Sequence, residues 1–155
     1  MDISVLIFLV RKDSVLLGKR KLNGRFGKWR GFGGGYEKSD GSILNTAARE
    51  FKEETGLTVF DLQRVGCLNI QKPNRSLLTH IFVARSWCGK FVKSEEMSLP
   101  KWFKFSEIPY REMWEDARIW LPQILLGRKL KVEIIIGRRM NLRECSVKFT
   151  QTGRR

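Results

Sequence analysis

The apolar positions of the chain fall into short runs separated by turn-like and glycine-rich stretches. Residues 3–10, ISVLIFLV, are almost wholly apolar. The run is too short to span a bilayer and reads as a strand buried on both faces. SVLLGKR at 14–20 reads as a second strand, with RKD as the hairpin turn between them. Residues 22–35, LNGRFGKWRGFGGG, show no period and are rich in Gly and basic residues, so they read as a loop. From about Ser42 to Thr55 the spacing turns helical. At 3.6 residues per turn, Leu44, Ala47, Ala48, Phe51 and Thr55 form one stripe, which predicts the face turned toward the sheet.

The rest of the chain is read the same way. LTVFDLQRVGCLNI (57–70) and LLTHIFVARSW (77–87) predict strands joined through the turn chemistry of KPNRS. LPKWFKF (99–105) predicts another strand, SEIPYREMW a connector, and about Glu115 to Leu126 a second helix. KVEIIIG and CSVKFT predict a last hairpin around RRMN. Strands interrupted by two helices, without repeats or a linker, point to one α+β or α/β domain over residues 1–155, a sandwich with a mixed sheet.

Composition narrows the chemistry. The chain of 155 residues carries 30 Lys and Arg against 16 Asp and Glu, a formal charge of +14, which favours polyanionic partners. The surplus is uneven. Residues 11–30 hold eight basic side chains against Asp13, and residues 128–155 hold nine against Glu133 and Glu144. Arg20, Lys21 and Lys28 of the first cluster lead into the glycine run and are candidates for phosphate binding. Three cysteines without metal-type spacing read as reduced thiols of a cytoplasmic protein. His80, the one histidine, lies in a strand-like run and reads as structural, which argues against Ser-His or Cys-His hydrolysis and a multi-histidine zinc site. No segment reads as a membrane span, and no obligate protein partner is evident.

The helix at 42–55 carries the chemistry. Glu50, Glu53 and Glu54 stand at i, i+3 and i+4 and share a face. They crowd the end of the helix, where the macrodipole disfavours negative charge. Three carboxylates so placed repel one another unless a cation lies among them, and Mg²⁺ commonly sits between carboxylates and substrate phosphates. Arg49 precedes Glu53 by one turn and can pair with it. The glycines just before the helix let phosphate and metal approach the backbone.

AREFKEETGL resembles the second half of the Nudix box, with Arg49, Glu50, Phe51, Glu53, Glu54, Gly56 and Leu57 at its defined positions. The resemblance implies an αβα sandwich with a mixed central sheet. It implies hydrolysis of a nucleoside diphosphate linked to another group, with Mg²⁺ or Mn²⁺ as cofactor. The metal would be held by Glu50, Glu53, Glu54 and the Gly35 carbonyl, with Arg49 orienting and Glu53 or Glu54 activating water. One box glutamate is absent: its position is Gly41, and Asp40 or Glu37 would stand in for it. GKWRGFGG, GLTVFDLQRVG, IPYREMW and WLPQILL resemble the branch of that family acting on oxidised purine nucleoside triphosphates such as 8-oxo-dGTP, yielding monophosphate and pyrophosphate. That resemblance places Trp114 and Asp116 on the purine, Arg20 near the phosphates and Glu96 near the metal. It also implies changes at the base, with Arg30 where the branch has an asparagine and Ala117 where it has a second carboxylate. Two other readings stay open: an RNA 5′-end pyrophosphohydrolase using the basic C-terminal segment, and a non-catalytic nucleotide-binding module.

Overall fold

A computed structural model describes residues 1–150. The last five residues of the expected single domain lie outside the described ones. Ten strands and two helices follow in chain order: β1 (Asp2–Arg11), β2 (Ser14–Leu22), β3 (Arg25–Arg30), α1 (Ile43–Thr55), β4 (Thr58–Val59), β5 (Gln63–Lys72), β6 (Arg75–Ala84), β7 (Trp87–Cys88), β8 (Lys101–Lys104), α2 (Ala117–Leu125), β9 (Leu130–Ile136) and β10 (Leu142–Phe149). One mixed sheet runs β10-β9-β5-β6-β1-β2-β3, with β8 also on β2. β1 lies parallel to β6 and β5 parallel to β9, while the other pairs of this sheet are antiparallel. β4 and β7 form a separate two-stranded ribbon.

The apolar run of β1 has a simple cause. Alternate side chains of a strand point to opposite faces. Val5, Ile7 and Leu9 enter a core with Phe32, Ala47 and Phe51, under α1. Leu6, Phe8 and Val10 enter a second core with Trp120, Leu121 and Ile124, under α2. Both faces are covered, so the strand is apolar throughout, and the architecture is the expected αβα sandwich.

Four expectations need correction. β3 occupies Arg25–Arg30 inside the stretch read as a loop; β2 supplies its partner through a turn at Asn23 and Gly24, both at positive φ. The run at 57–70 is two strands. Between them Asp61 accepts N–H bonds from Arg85 and Ser86 at 2.9 Å, and Phe60 turns outward. The buried stripe of α1 is Thr46, Ala47, Phe51, Glu54 and Thr55; Leu44, 49% exposed, and Ala48 face outward. The helix is rolled because a carboxylate, Glu54, takes a place on its inner side. α2 begins two residues later than expected. No helix among the described residues is long and apolar enough to cross a membrane.

Candidate active site

The glycine run is held as an extended segment along the first half of β1. Val5 N–H donates to the Gly34 carbonyl at 2.9 Å, Phe32 N–H to Ile7 at 3.0 Å, and Tyr36 N–H to Ile3 at 2.9 Å. This is where glycine is required. A Cβ at Gly33 would lie 1.9 Å from the Val5 carbonyl oxygen, and one at Gly34 would lie 2.3 Å from Glu50 Oε2. The backbone thus runs between β1 and the inner edge of α1. The helix starts at Ser42, whose hydroxyl accepts from Asn45 N–H, and stops at Gly56 at a φ of 85°.

Arg49 is the hub of the carboxylates. Its Nε and Nη2 reach Asp40 at 2.7 and 2.9 Å, and its Nη1 reaches Glu50 at 2.7 Å and Glu53 at 3.1 Å. Nη2 also lies 3.0 Å from Glu37 and donates to the Gly35 carbonyl at 3.3 Å. Asp40 accepts a hydrogen bond from Thr46 Oγ1 at 2.8 Å as well, and its side chain is only 5% exposed. The Arg49 bond, above all, holds the Asp40 carboxyl well below the usual carboxylate range. Asp40 is therefore the main carboxylate partner of Arg49 beside the glycine at 41, with Glu37 an exposed second one.

Glu54 is set apart. It is 2% exposed, and its Oε1 accepts from Gly33 N–H at 2.8 Å. Its Oε2 is buried with no hydrogen-bond partner. Burial raises its pKa to about 7, with nearby Glu50 adding to the rise and the Gly33 bond opposing it. Glu50 is also raised, first by burial, then by Glu53 and Glu96, against the pull of Arg49. Among the described residues no three carboxylates converge as a metal cage, because Glu50 and Glu53 both turn to Arg49. The three glutamates do not share one face either: Glu53 is 54% exposed while Glu54 lies inside. The donor set still fits a divalent cation. Hard oxygen ligands are crowded together, one buried carboxylate oxygen has no partner, and the backbone beside Glu50 is bare of side chain.

Beyond the carboxylates lie two arginines. Arg20 and Arg30 line one hollow with Gly34, Gly35 and Tyr36. Arg20 Nε is buried without a partner. Arg30 has its pKa lowered to about 10 by burial and then by Arg20, with Glu54 opposing. Neither makes an ion pair among the described residues, so two like charges share one hollow, an arrangement that suits an anion. Arg30 also lines an adjoining cleft of about 290 Å³. Its floor is the sheet; its roof is Met113, Trp114, Asp116, Ala117 and Trp120. Trp114 is 47% exposed with Lys28 Nζ at 5.4 Å from its ring. Asp116 accepts from Trp120 Nε1 at 2.7 Å, and Trp120 itself is core.

The family profile described as the NUDIX domain matches residues 2–124. The chain belongs to the Nudix hydrolase family. It is 38% identical over 126 residues to the oxidized purine nucleoside triphosphate hydrolase of Danio rerio and 36% identical to that of Mus musculus, with 80% of each chain covered in both cases. The crystal structure of a MutT protein from Bacillus halodurans superposes with a TM-score of 0.83 at 24% identity, covering 96% of this chain and 98% of that one, a likeness of fold.

In this Nudix site the structure gathers Arg49, Glu50, Glu53, Glu54 and Gly35 at the end of α1 and brings Glu96 close enough to act on Glu50. Arg20 and Arg30 border the same place, while Trp114 and Asp116 stand at the neighbouring cleft. Lys21 and Lys28 do not join the Arg20–Arg30 hollow: Lys21 Nζ donates to the Ser94 carbonyl at 2.9 Å, and Lys28 stands over Trp114. Sequence reasoning missed Thr46, Ser4, Thr79, Lys72 and Met140. Thr46 carries no signal beyond its helical place. The others share the sheet face or hairpin tip that lines the cleft, visible only once strand register is known.

Proposed function

We propose that the chain, as one Nudix domain, hydrolyses purine nucleoside triphosphates, oxidised ones such as 8-oxo-dGTP included, to the monophosphate and pyrophosphate with Mg²⁺, or Mn²⁺ in its place. The observation that carries this reading is the buried, partnerless Oε2 of Glu54 beside Glu50 and the unpaired Arg20–Arg30 hollow, opening directly into a base-sized cleft. The names of the relatives in fish and mouse agree with it.

Glu50, Glu53, Glu54 and the Gly35 carbonyl would hold the cation, with Glu96 adding negative field. When bound, a divalent ion neutralises phosphate charge and makes water a stronger nucleophile at neutral pH. Arg20 and Arg30 bind and orient the phosphates. Glu54, with the Gly33 bond fixing Oε1, would offer its free Oε2 to the cation, and Glu53, exposed to solvent, is the group placed to take a proton from attacking water. Arg49 orients Glu50 and Glu53 and is itself locked by Asp40. Trp114 offers a face for stacking and Asp116 an acceptor for a base edge. The unpaired thiols of Cys67, Cys88 and Cys145 suit a reducing, cytoplasmic setting.

The basic segment read as a possible RNA-binding arm is, in its described part, the β9–β10 hairpin of the sheet, and Ile134, Ile136 and Met140 line the cleft. It is a wall of the site, which favours free nucleotides over RNA. The test is a panel of dGTP, 8-oxo-dGTP, dATP and 5′-triphosphorylated RNA with products identified. Monophosphate and pyrophosphate from the free nucleotides, only with divalent metal, are expected. Turnover of the RNA alone, or of none of them, would overturn the reading.

A further inference from the structure

The polar side chains lining the cleft are mostly committed to one another. Ser4 and Thr79 share a hydroxyl–hydroxyl bond of 2.9 Å, Asp116 holds Trp120, and Arg30 Nε donates to the Gly31 carbonyl at 3.2 Å. Lys72, at the end of β5, is different. It is half-buried, lines the same cleft, and makes no hydrogen bond or ion pair among the described residues. Ile70, Leu77, Ile136 and Met140 share the lining with it and are apolar, while Arg75, opposite it in the β5–β6 register, is held by Asp2 at 2.6 Å. A donor-only cation in such a setting lacks an acceptor.

Strand order says which part of a nucleotide would reach it. The Arg20–Arg30 hollow lies over β1, against Gly34 and Gly35, and its far side is formed by Arg75 and Leu77 of β6. Across the floor the strands run β1, β6, β5. Lys72 is therefore two strand spacings from Gly34 and Gly35 at β1, roughly 10 Å at about 4.8 Å per step, and one from the β6 side of the hollow. Its side chain is in phase with Leu68 and Ile70, which face the cleft. A nucleotide with its phosphates at β1 carries its base across β6 to β5.

We propose that Lys72 is a specificity-determining residue that reads the acceptor edge of a 6-oxopurine, so that guanine-type bases are preferred over adenine. Guanine presents O6 and N7, both acceptors, and lysine is a natural partner for that edge. Adenine places its amino group, a donor, where O6 would be, so the ammonium meets no acceptor there. The proposal rests on the reading of the cleft as a purine triphosphate site and adds the residue that chooses the purine.

The experiment compares catalytic efficiencies for dGTP, dITP and dATP in the parent, Lys72→Met and Lys72→Arg, alongside binding of dGMP and dAMP by calorimetry. Methionine keeps the length and suits the apolar lining, and a melting temperature close to the parent's verifies the fold. The expected parent favours both 6-oxopurines over dATP. In Lys72→Met the dGTP:dATP and dITP:dATP ratios fall about tenfold or more, and in Lys72→Arg they are largely kept. Unchanged ratios in Lys72→Met, or a parent without preference for 6-oxopurines, would overturn the proposal. So would a preference for dGTP that dITP does not share, since dITP lacks only the 2-amino group and would point to Asp116. If the parent turns over no purine triphosphate, the functional reading fails by itself. The dGMP-over-dAMP binding preference, present in the parent and lost in Lys72→Met, then still decides the role of Lys72.

Discussion

At the β1 end of the cleft, one guanidinium joins Asp40, Glu37, Glu50, Glu53 and the Gly35 carbonyl, and two glycines sit where no side chain fits. At the other end Trp114 stands half exposed with Lys28 over its ring, and Lys72 reaches into an apolar trough with no partner. The first region is tied together through one hub: four carboxylates and a carbonyl meet Arg49, which Asp40 locks in turn, so removing either of those two disturbs the rest. The second is built from single contacts and side chains with room to turn. Chemistry on phosphates needs the first kind of construction, because reacting groups must be held in place before substrate arrives. Choosing among bases needs only the second.

The contrast is broken most severely at Glu54. Glu54→Gln keeps the acceptor for Gly33 N–H and removes the charge, so turnover is expected to fall by at least roughly a hundredfold with the fold intact. Steady-state rates and circular dichroism check this. Glu53→Gln should fall by a similar factor at still smaller structural cost, since Glu53 is exposed. Gly34→Ala comes next. Its Cβ would meet Glu50 Oε2, so the carboxylate must turn away, and metal-dependent turnover is expected to drop about tenfold or more. A variant with parental rates would show that Glu50 does not need its present position. Asp40→Ala should free Arg49, lowering the melting temperature and turnover together. Adding Gly41→Glu should not rescue it, because residue 41 has a φ of 80°, a left-handed conformation in which glutamate is strained.

At the base end the effects should be smaller and confined to binding. Trp114→Ala is expected to weaken nucleotide binding by about 1–3 kcal/mol through lost stacking, with kcat nearly unchanged. Asp116→Asn should shift the preference among purines, because an amide both donates and accepts; comparing catalytic efficiencies across purines reads it. If both leave preference and affinity untouched, the base lies elsewhere and the difference between the two regions disappears.

What was legible in the sequence divides along the same line. The carboxylate end lies in one stretch, residues 31–57, where local spacing carries much of the geometry: the helix itself, the Gly56 stop and the Arg49–Glu53 pair follow from counting. Even there, the roll of α1 that buries Glu54 and exposes Leu44 depends on packing against β1. Counting could not have chosen Asp40 over Glu37 either, since the choice rests on a turn that brings Asp40 under Thr46 and Arg49. The base end is assembled from β1, β5, β6, β9 and the approach to α2, and its members share no local pattern. Ser4 and Thr79 meet only because β1 and β6 pair in that register. β3 was missed because its side chains are largely exposed and its stretch is rich in glycine and charge, so no alternation marks it.

The central claim is that the buried Glu54 is held unsatisfied for a divalent cation. Its folded pKa, about 7, lies above the ordinary 4.5. Without metal, the protonated carboxyl favours the fold below about pH 4.5, and that contribution is lost as pH rises through about 7. A bound cation favours the ionised carboxylate, so its stabilising effect should grow over the same window. The direct measurement is the rise in melting temperature caused by Mg²⁺ at pH 8 and at pH 5.5, in the parent and in Glu54→Gln. A large rise at pH 8, a much smaller one at pH 5.5, and almost none in the variant are predicted. An equal rise at both pH values, or one the variant retains in full, would contradict the account.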